Sequence, residues 1–170
     1  MKKAVVIYDG KNKALIEELL RTLEHIWVNK GYECILLMTK DDRGFMPEVD
    51  RLNADILMTI AMAGFEHRNM GEGVCYNNLR AKQIHILIGN IPKYDVYLRK
   101  ELGIHLFLFT DNEQIYTGWK QKYPLISFLE KIPMLYIGEH LTSVEKDRNE
   151  KNLEKMICRV FSFIKEPSVL

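Results

Sequence analysis

The residues best suited to proton transfer and ligand contact lie between Gly64 and Asn78. Glu66 and His67 stand next to each other there, and each can act as a general acid or base near neutral pH when partly buried. Adjacent side chains of an extended loop point to opposite sides, so the two are candidates for catalysis without having to meet. Four further residues of this stretch are candidates for ligand binding: Gly64, Gly73, Tyr76 and Asn77.

Two apolar runs flank this stretch and predict the strands that position it. Asp55–Met62 and Gln83–Gly89 are too short for buried helices, and they suit central strands of a parallel sheet. The connection between them, Ala63–Lys82, is long for an α/β protein. Long connections of this kind tend to be functional or disordered, and the polar and glycine content here favours function.

Candidate ligand contacts also follow other predicted strands. Strand one (Ala4–Tyr8) precedes Asp9, Gly10 and Asn12, and strand five (Ile104–Thr110) precedes Asp111. Gly89, Asn90 and Tyr94 accompany the end of strand four. The carboxyl ends of parallel strands lie at one edge of a sheet, so these residues are expected to gather at a common edge.

Strands and helices alternate along the chain, which predicts an α/β fold. We expect a three-layer Rossmann-like or flavodoxin-like sandwich, with a mostly parallel sheet of five to six strands and helices on both faces. The strand order is predicted as 3-2-1-4-5-6 or 2-1-3-4-5, with the ligand where the order reverses. For the first order, the crevice lies between strands one and four and is lined by Asp9–Asn12 and Gly89–Tyr94.

Helix signals support this alternation. Asn12 is predicted to cap a helix whose apolar stripe has a spacing of 3.6 residues: Leu15, Ile16, Leu19, Leu20, Leu23, Ile26 and Trp27. Gly31 suits the left-handed residue that ends a helix. Asp111 is expected to cap a later helix rather than to contact a ligand, and another helix should follow Pro92. A capping box, Thr142–Glu145, predicts a last helix over about residues 143–165.

The turn Asp9–Asn12 lacks the fingerprints of common phosphate-binding loops. It has one glycine where a dinucleotide fingerprint needs three, and it is not a Walker loop. Flavin mononucleotide would need a Ser/Thr-rich loop here, so we exclude a flavodoxin and predict no cofactor. A phosphate at the helix end stays open, although a plain turn is the expectation. A working phospho-receiver is not expected, because Thr59 or a neighbour stands where the acceptor aspartate would be.

Composition narrows the class of protein. The 170 residues, 47% of them apolar, suit one domain without a linker or repeat, and the net charge of +1 gives no reason to expect a nucleic acid partner. The three cysteines and five histidines lack metal-ligand spacing, so no metal site is predicted, and His85 and His105 are expected to be core residues. The apolar start ends at Asp9, too short for a signal peptide or a membrane span, and with unpaired cysteines a cytoplasmic location is expected.

A set of spaced aromatic and turn residues between Ala54 and Pro133 supports a family resemblance. It comprises Tyr76-Asn77-Asn78-Leu79, Gln83–Leu87, Pro92, Tyr94, Leu108–Asp111, Tyr116, Tyr123-Pro124 and Phe128-Leu129. This pattern resembles the N-terminal Rossmann-like half of poorly characterised bacterial glycosyltransferase-like proteins of the GT-B fold. The resemblance implies that the loop Gly64–Asn78 and the turn Gly89–Tyr94 face a cleft that binds a glycan or a nucleotide sugar.

The chain departs from that family because no second Rossmann-like half follows within it. The resemblance therefore implies one half of a split enzyme, acting with a partner subunit or as a homodimer. The alternative is a non-enzymatic Rossmann-like module that binds a small ligand or a protein. Both hypotheses stay open at this stage, since folds of this kind host many functions.

Overall fold

The computed structural model describes residues 1–67, 75–89, 106–123, 126 and 128–165. Six strands form one sheet in this part of the chain: β1 (Lys2–Tyr8), β2 (Tyr32–Met38), β3 (Ile56–Ile60), β4 (Lys82–Leu87), β5 (Leu106–Thr110) and β6 (Leu129–Lys131). Four α-helices among the described residues accompany it: α1 (Lys13–Asn29), α2 (Phe45–Leu52), α3 (Glu113–Lys122) and α4 (Ser143–Lys165). Two short 3₁₀ turns cover Gly10–Asn12 and Cys75–Asn78.

The sheet is parallel throughout, with the order β2-β1-β3-β4-β5-β6. The predicted α/β class and parallel sheet are confirmed, and so is the flavodoxin-like order 2-1-3-4-5, to which β6 adds an outer strand. The order 3-2-1-4-5-6 is wrong. It would place β3 at an edge, although every residue of β3 is buried, whereas β2 is half-buried along its centre and suits the edge it occupies.

Alternate residues of the central strands build a separate core on each face. Ala4, Val6 and Tyr8 of β1 point to the face covered by α1 and α4, and Val5 and Ile7 point to the other face. We call these the α1 face and the α2 face, since α2 and α3 contribute to the second core. Parallel strands covered on both sides are apolar at most positions, which explains the nearly continuous apolar runs of the sequence.

The first helix follows the predicted stripe with one exception. Six of its seven stripe residues are buried, whereas Leu15 is 45% exposed and lies outside the core. Asn12 holds the N-cap position of α1, yet its side chain makes no capping hydrogen bond. The carboxylate of Asp9 instead accepts a hydrogen bond from the Lys11 amide at 2.9 Å. Gly31 has φ +82°, as predicted for the residue that ends a helix.

The later helices confirm one predicted cap and correct another. Thr142 and Glu145 exchange hydrogen bonds through their side chains and amides, so the capping box of α4 is confirmed. At α3 the cap is Asn112, whose carboxamide oxygen accepts from the amides of Gln114 and Ile115. Asp111 is therefore not the cap. The helix predicted after Pro92, with His105 beyond it, lies outside the described residues.

Candidate functional site

A cleft of about 720 Å³ opens at the carboxyl ends of β1 to β4. Because β1 pairs with β2 on one side and β3 on the other, the strand order reverses between β1 and β3. The crevice predicted between strands one and four belonged to the other strand order, and it is replaced by this one. Clefts at such reversal points are the usual ligand sites of open α/β sheets.

Five of the predicted site residues line the cleft: Asp9, Gly10, Asn12, Glu66 and Gly89. Gly64 and Tyr76 do not line it, but they lie in and behind the turn that does. Asp111 accepts a hydrogen bond from the Leu135 amide at 3.0 Å and serves to hold that segment. Gly73, Asn90, Tyr94 and the side chain of Asn77 lie outside the described residues.

The first turn places a carboxylate where a phosphate would bind. Asp9 Oδ1 accepts the hydrogen bond of the Lys11 amide, and the Asn12 amide donates to the Asp9 carbonyl at 3.2 Å. These bonds close the turn Gly10–Asn12 at the start of α1. An anion at this helix end would have to displace the Asp9 carboxylate and would be repelled by its charge.

The turn after β3 carries local backbone strain. Ala61 and Met62 have φ +51° and +59°, a left-handed conformation that costs about 1–2 kcal/mol per residue for side chains of this kind. The Ala61 amide donates to Ile86 of β4 at 2.8 Å, and the Ala63 amide donates to Ile60 at 3.1 Å. Strain of this type persists only where the surroundings impose it, and it concentrates at functional sites.

Gly64 and Tyr76 support this turn from below. The buried Tyr76 hydroxyl donates to the Ala63 carbonyl at 3.0 Å. Gly64 has φ +84°, and a Cβ there would lie 1.7 Å from the Tyr76 hydroxyl oxygen. Glycine is therefore required at this position by backbone conformation and by close packing together. Burial raises the pKa of Tyr76 well above its usual range, so the hydroxyl remains a donor.

A series of buried polar contacts connects Thr59 of β3 to Tyr76, which supports the turn after β3. Thr59 Oγ1 lies 2.7 Å from His85 Nδ1, and His85 Nε2 lies 3.2 Å from Gln83 Oε1. The Gln83 amide nitrogen donates to the Tyr76 carbonyl at 2.8 Å. Since Gln83 Oε1 can only accept, His85 must carry its proton on Nε2, and the Thr59 hydroxyl donates to Nδ1.

Burial keeps His85 neutral within this network. The side chain is completely buried, and burial lowers the pKa of His85 to about 3. The prediction of a satisfied core histidine is confirmed for His85. The hydrogen-bonded network of Thr59, His85 and Gln83 holds β3, β4 and the turn Cys75–Asn78 together beneath the cleft.

Glu66 and His67 lie closer together than an extended loop would allow. Residues 61–66 form turns, so Glu66 Oε1 and His67 Nε2 are 3.8 Å apart. The imidazole of His67 stacks on Phe45 with ring centroids 4.8 Å apart, and its Nε2 is buried without a hydrogen-bond partner among the described residues. Of the two, only Glu66 lines the cleft.

Several lining residues were not named by the sequence-based predictions, among them Leu15, Met38, Asp41 and Ile137. Asp41 follows β2, and its place after a strand was a usable signal. Ile137 is brought to the cleft by the Gly138 amide, which donates to the Leu15 carbonyl at 2.8 Å. That contact joins distant parts of the chain, so no local sequence pattern predicts it.

The described residues contain no group of three or more His, Cys, Asp or Glu side chains placed to hold a metal ion. Among the same residues, none of the helices has the length and apolar character needed to cross a membrane. Cys34, Cys75 and Cys158 are free thiols.

Two solved structures resemble the chain in fold. One is the flavodoxin-like domain of a Synechococcus protein, with a TM-score of 0.43, 11% identity and coverage of 92% of this chain and 99% of that one. The other is a short-chain flavodoxin associated with a non-canonical PDU bacterial microcompartment, with a TM-score of 0.41, 14% identity and coverage of 94% and 99%. No protein-family model and no curated protein matches the chain. These likenesses concern the fold alone, and none of them points to a glycosyltransferase.

Proposed function

We propose that the chain is a Rossmann-like module that binds a small organic ligand in the cleft between β1 and β3. The observation that carries this proposal is the cleft itself, whose volume of about 720 Å³ falls within the range of small-molecule sites. It lies where the strand order reverses, and strained residues Ala61 and Met62 form part of its lining. We propose binding rather than catalysis for two reasons. His67 does not line the cleft, and the 3.8 Å between His67 Nε2 and Glu66 Oε1 is longer than a hydrogen bond.

The charge of the cleft distinguishes between the ligands that the family resemblance implies. A nucleotide sugar would bring a pyrophosphate to a site lined by Asp9, Asp41 and Glu66, with Lys11 as the one lining cation among the described residues. The amide of Lys11 is already bound by Asp9. A neutral glycan meets neither obstacle, so the cleft is less unfavourable to a glycan than to a nucleotide sugar. A partner subunit or a second copy that completes a transferase stays a prediction of the resemblance.

The test is a thermal-shift panel on the purified chain with nucleosides, nucleotide sugars, oligosaccharides and small amines, alcohols and acids. A ligand at about a hundred times its dissociation constant adds roughly 2.7 kcal/mol of stability. For a protein of this size, that corresponds to a rise in Tm of about 5–10 °C.

A variant pair then locates the site. Asn12 is exposed, lines the cleft and makes no capping bond, so Asn12→Trp should fill the cleft without loss of a stabilising contact. Lys13→Trp places the same side chain on the neighbouring exposed residue, outside the cleft lining. We expect the ligand shift to vanish in the first variant and persist in the second. A shift that survives Asn12→Trp, or no shift with any compound, would overturn the proposal.

A further inference from the structure

The two faces of the sheet contribute chemically different surfaces to the cleft. From the α1 face come Ile16, Ile60 and Ile88, which belong to the core of that face and end at the cleft. Leu15, in the first turn of α1, also lines the cleft and is 45% exposed. The cleft therefore has an aliphatic wall that begins in the core and continues to the opening.

Two more exposed aliphatic side chains complete this wall. Met38 and Ile137 line the cleft, and each is 43% exposed. Met38 continues the alternation in which Cys34 and Leu36 pack against the core of the α1 face. Its sulfur lies close to Gly10, where a Cβ would come within 2.6 Å of it.

Ile137 is held at the opening by the segment that carries it. Asn149 donates to the Tyr136 carbonyl and accepts from the Tyr136 amide, both at 2.8 Å. On the other side, the Gly138 amide is bound to Leu15 at 2.8 Å. These bonds hold the backbone on both sides of Ile137, so the side chain remains in the cleft instead of collapsing into the core. Exposed aliphatic groups that line a preformed cavity suit an apolar part of a ligand.

The cleft lining also carries acidic side chains. Glu66 follows the turn Met62–Phe65, whose side chains belong to the core of the α2 face, and Asp41 lies in the connection from β2 to α2. Together with Asp9 they give three lining carboxylates against the single ammonium group of Lys11, a net charge of −2 for the described lining. Asp41 has no ion-pair partner among the described residues.

From these two surfaces we infer that the ligand is an amphipathic organic cation, an amine that carries an apolar body. This inference rests on the small-ligand function proposed above and names its ligand class. The ammonium group lies toward Asp41 and Glu66, where the opposite charges attract. The apolar body lies against Leu15, Met38 and Ile137, where it removes exposed aliphatic surface from water.

The test uses three probes of similar shape and different charge: 2-phenylethylamine, 2-phenylethanol and 3-phenylpropionate. Binding is measured by isothermal titration calorimetry at low ionic strength and again at about 1 M salt, where charges are screened within roughly 3 Å. We expect the amine to bind at least about tenfold more tightly than the alcohol, with the carboxylate weakest, and to lose that advantage in high salt.

Variants assign the two surfaces. Asp41→Asn and Glu66→Gln should each weaken the amine by roughly five- to tenfold and leave the alcohol unchanged. Leu15→Ala should weaken the amine and the alcohol alike. Glu154→Gln, on the exposed part of α4, and Val144→Ala, at an exposed apolar position, are matched controls for charge and for size.

The outcomes separate this inference from the proposed function. If the alcohol or the carboxylate binds as tightly as the amine, and Asn12→Trp abolishes that binding, the small-ligand function stands and the cationic ligand class is wrong. If the amine is silent while a neutral or anionic compound of the thermal-shift panel binds in the cleft, the inference is again wrong. If nothing binds in either experiment, the proposed function itself fails.

Discussion

Gly64 and Gly31 allow the packing beneath the cleft to be separated from backbone strain. The two glycines have nearly the same φ, +84° and +82°. A Cβ on Gly31 would meet no atom within 4 Å, whereas on Gly64 it would lie 1.7 Å from the hydroxyl oxygen and 2.7 Å from Cζ of Tyr76. Substitution by alanine therefore adds the same strain at both positions and a steric overlap at Gly64 alone.

The expected free energies follow from these contacts. For Gly31→Ala, left-handed strain of about 1–2 kcal/mol is partly offset by about 0.4–1 kcal/mol from the lower entropy of the unfolded chain. At Gly64 the Tyr76 ring must also move, which costs about 1–3 kcal/mol in overpacking. The shift breaks the 3.0 Å hydrogen bond to the buried Ala63 carbonyl, for about 1–3 kcal/mol more. Gly64→Ala should thus be at least about 2 kcal/mol more destabilising than Gly31→Ala.

Equilibrium unfolding in urea, followed by circular dichroism and by the fluorescence of the buried Trp27 and Trp119, measures both variants. Tyr76→Phe provides a further check, because it removes the hydroxyl that causes the closest overlap. The double variant Gly64→Ala/Tyr76→Phe should be less destabilised than the sum of the single variants, by more than about 0.5 kcal/mol. Equal costs at Gly31 and Gly64 within about 0.5 kcal/mol, or additive costs in the double variant, would refute this account of the packing.

Two more predictions concern the buried histidine and the helix caps. Burial lowers the pKa of His85 to about 3, below its unfolded value of about 6.5, so its contribution to stability is complete above pH 6.5 and declines as the pH falls through the interval down to 3. Between pH 6.5 and 5 the wild-type free energy of unfolding should fall by about 1.5–2 kcal/mol more than that of His85→Gln. The exposed His140→Gln serves as the control. Parallel pH profiles for wild type and His85→Gln would contradict this prediction. At the start of α4, Thr142→Ala should lower the free energy of unfolding in urea by about 1 kcal/mol, because it breaks the capping box. At the start of α1, Asn12→Ala should lower it by less than about 0.5 kcal/mol, because Asn12 makes no capping bond. A larger loss at Asn12 would show that its cap forms in solution.

The strand order is a feature that sequence patterns alone did not decide. The apolar runs of β3 and β4 predicted buried parallel strands, and the structure buries every residue of β3. Periodicity says that a strand is covered on both faces, but it does not name its neighbours. Comparing the partly polar β2 with the apolar β3 favours β3 in the interior, and the pairing of β3 with β1 then fixes the place of the cleft.

Part of the candidate site was predicted from the sequence, and part depended on packing between distant residues. Asp9, Gly10, Asn12 and Gly89 line the cleft because residues at the carboxyl ends of parallel strands must meet at one edge of the sheet. Gly64 and Tyr76 were expected to contact a ligand, but polar and glycine residues in a loop look alike whether they contact a ligand or support the loop. Only their packing, with the Tyr76 hydroxyl against Gly64, assigns them the second role.

The sequence by itself determined the α/β class, the parallel strands, the capping box of α4 and the left-handed glycine at position 31, because each follows from local periodicity or backbone preference. The tertiary structure decided the strand order, the left-handed turn at Ala61 and Met62, and the arrival of Ile137 beside Leu15. These features depend on contacts between residues far apart in the chain. Alanine, methionine and isoleucine carry no local signal for them, so their conformation and neighbours are set by the packing of the whole sheet.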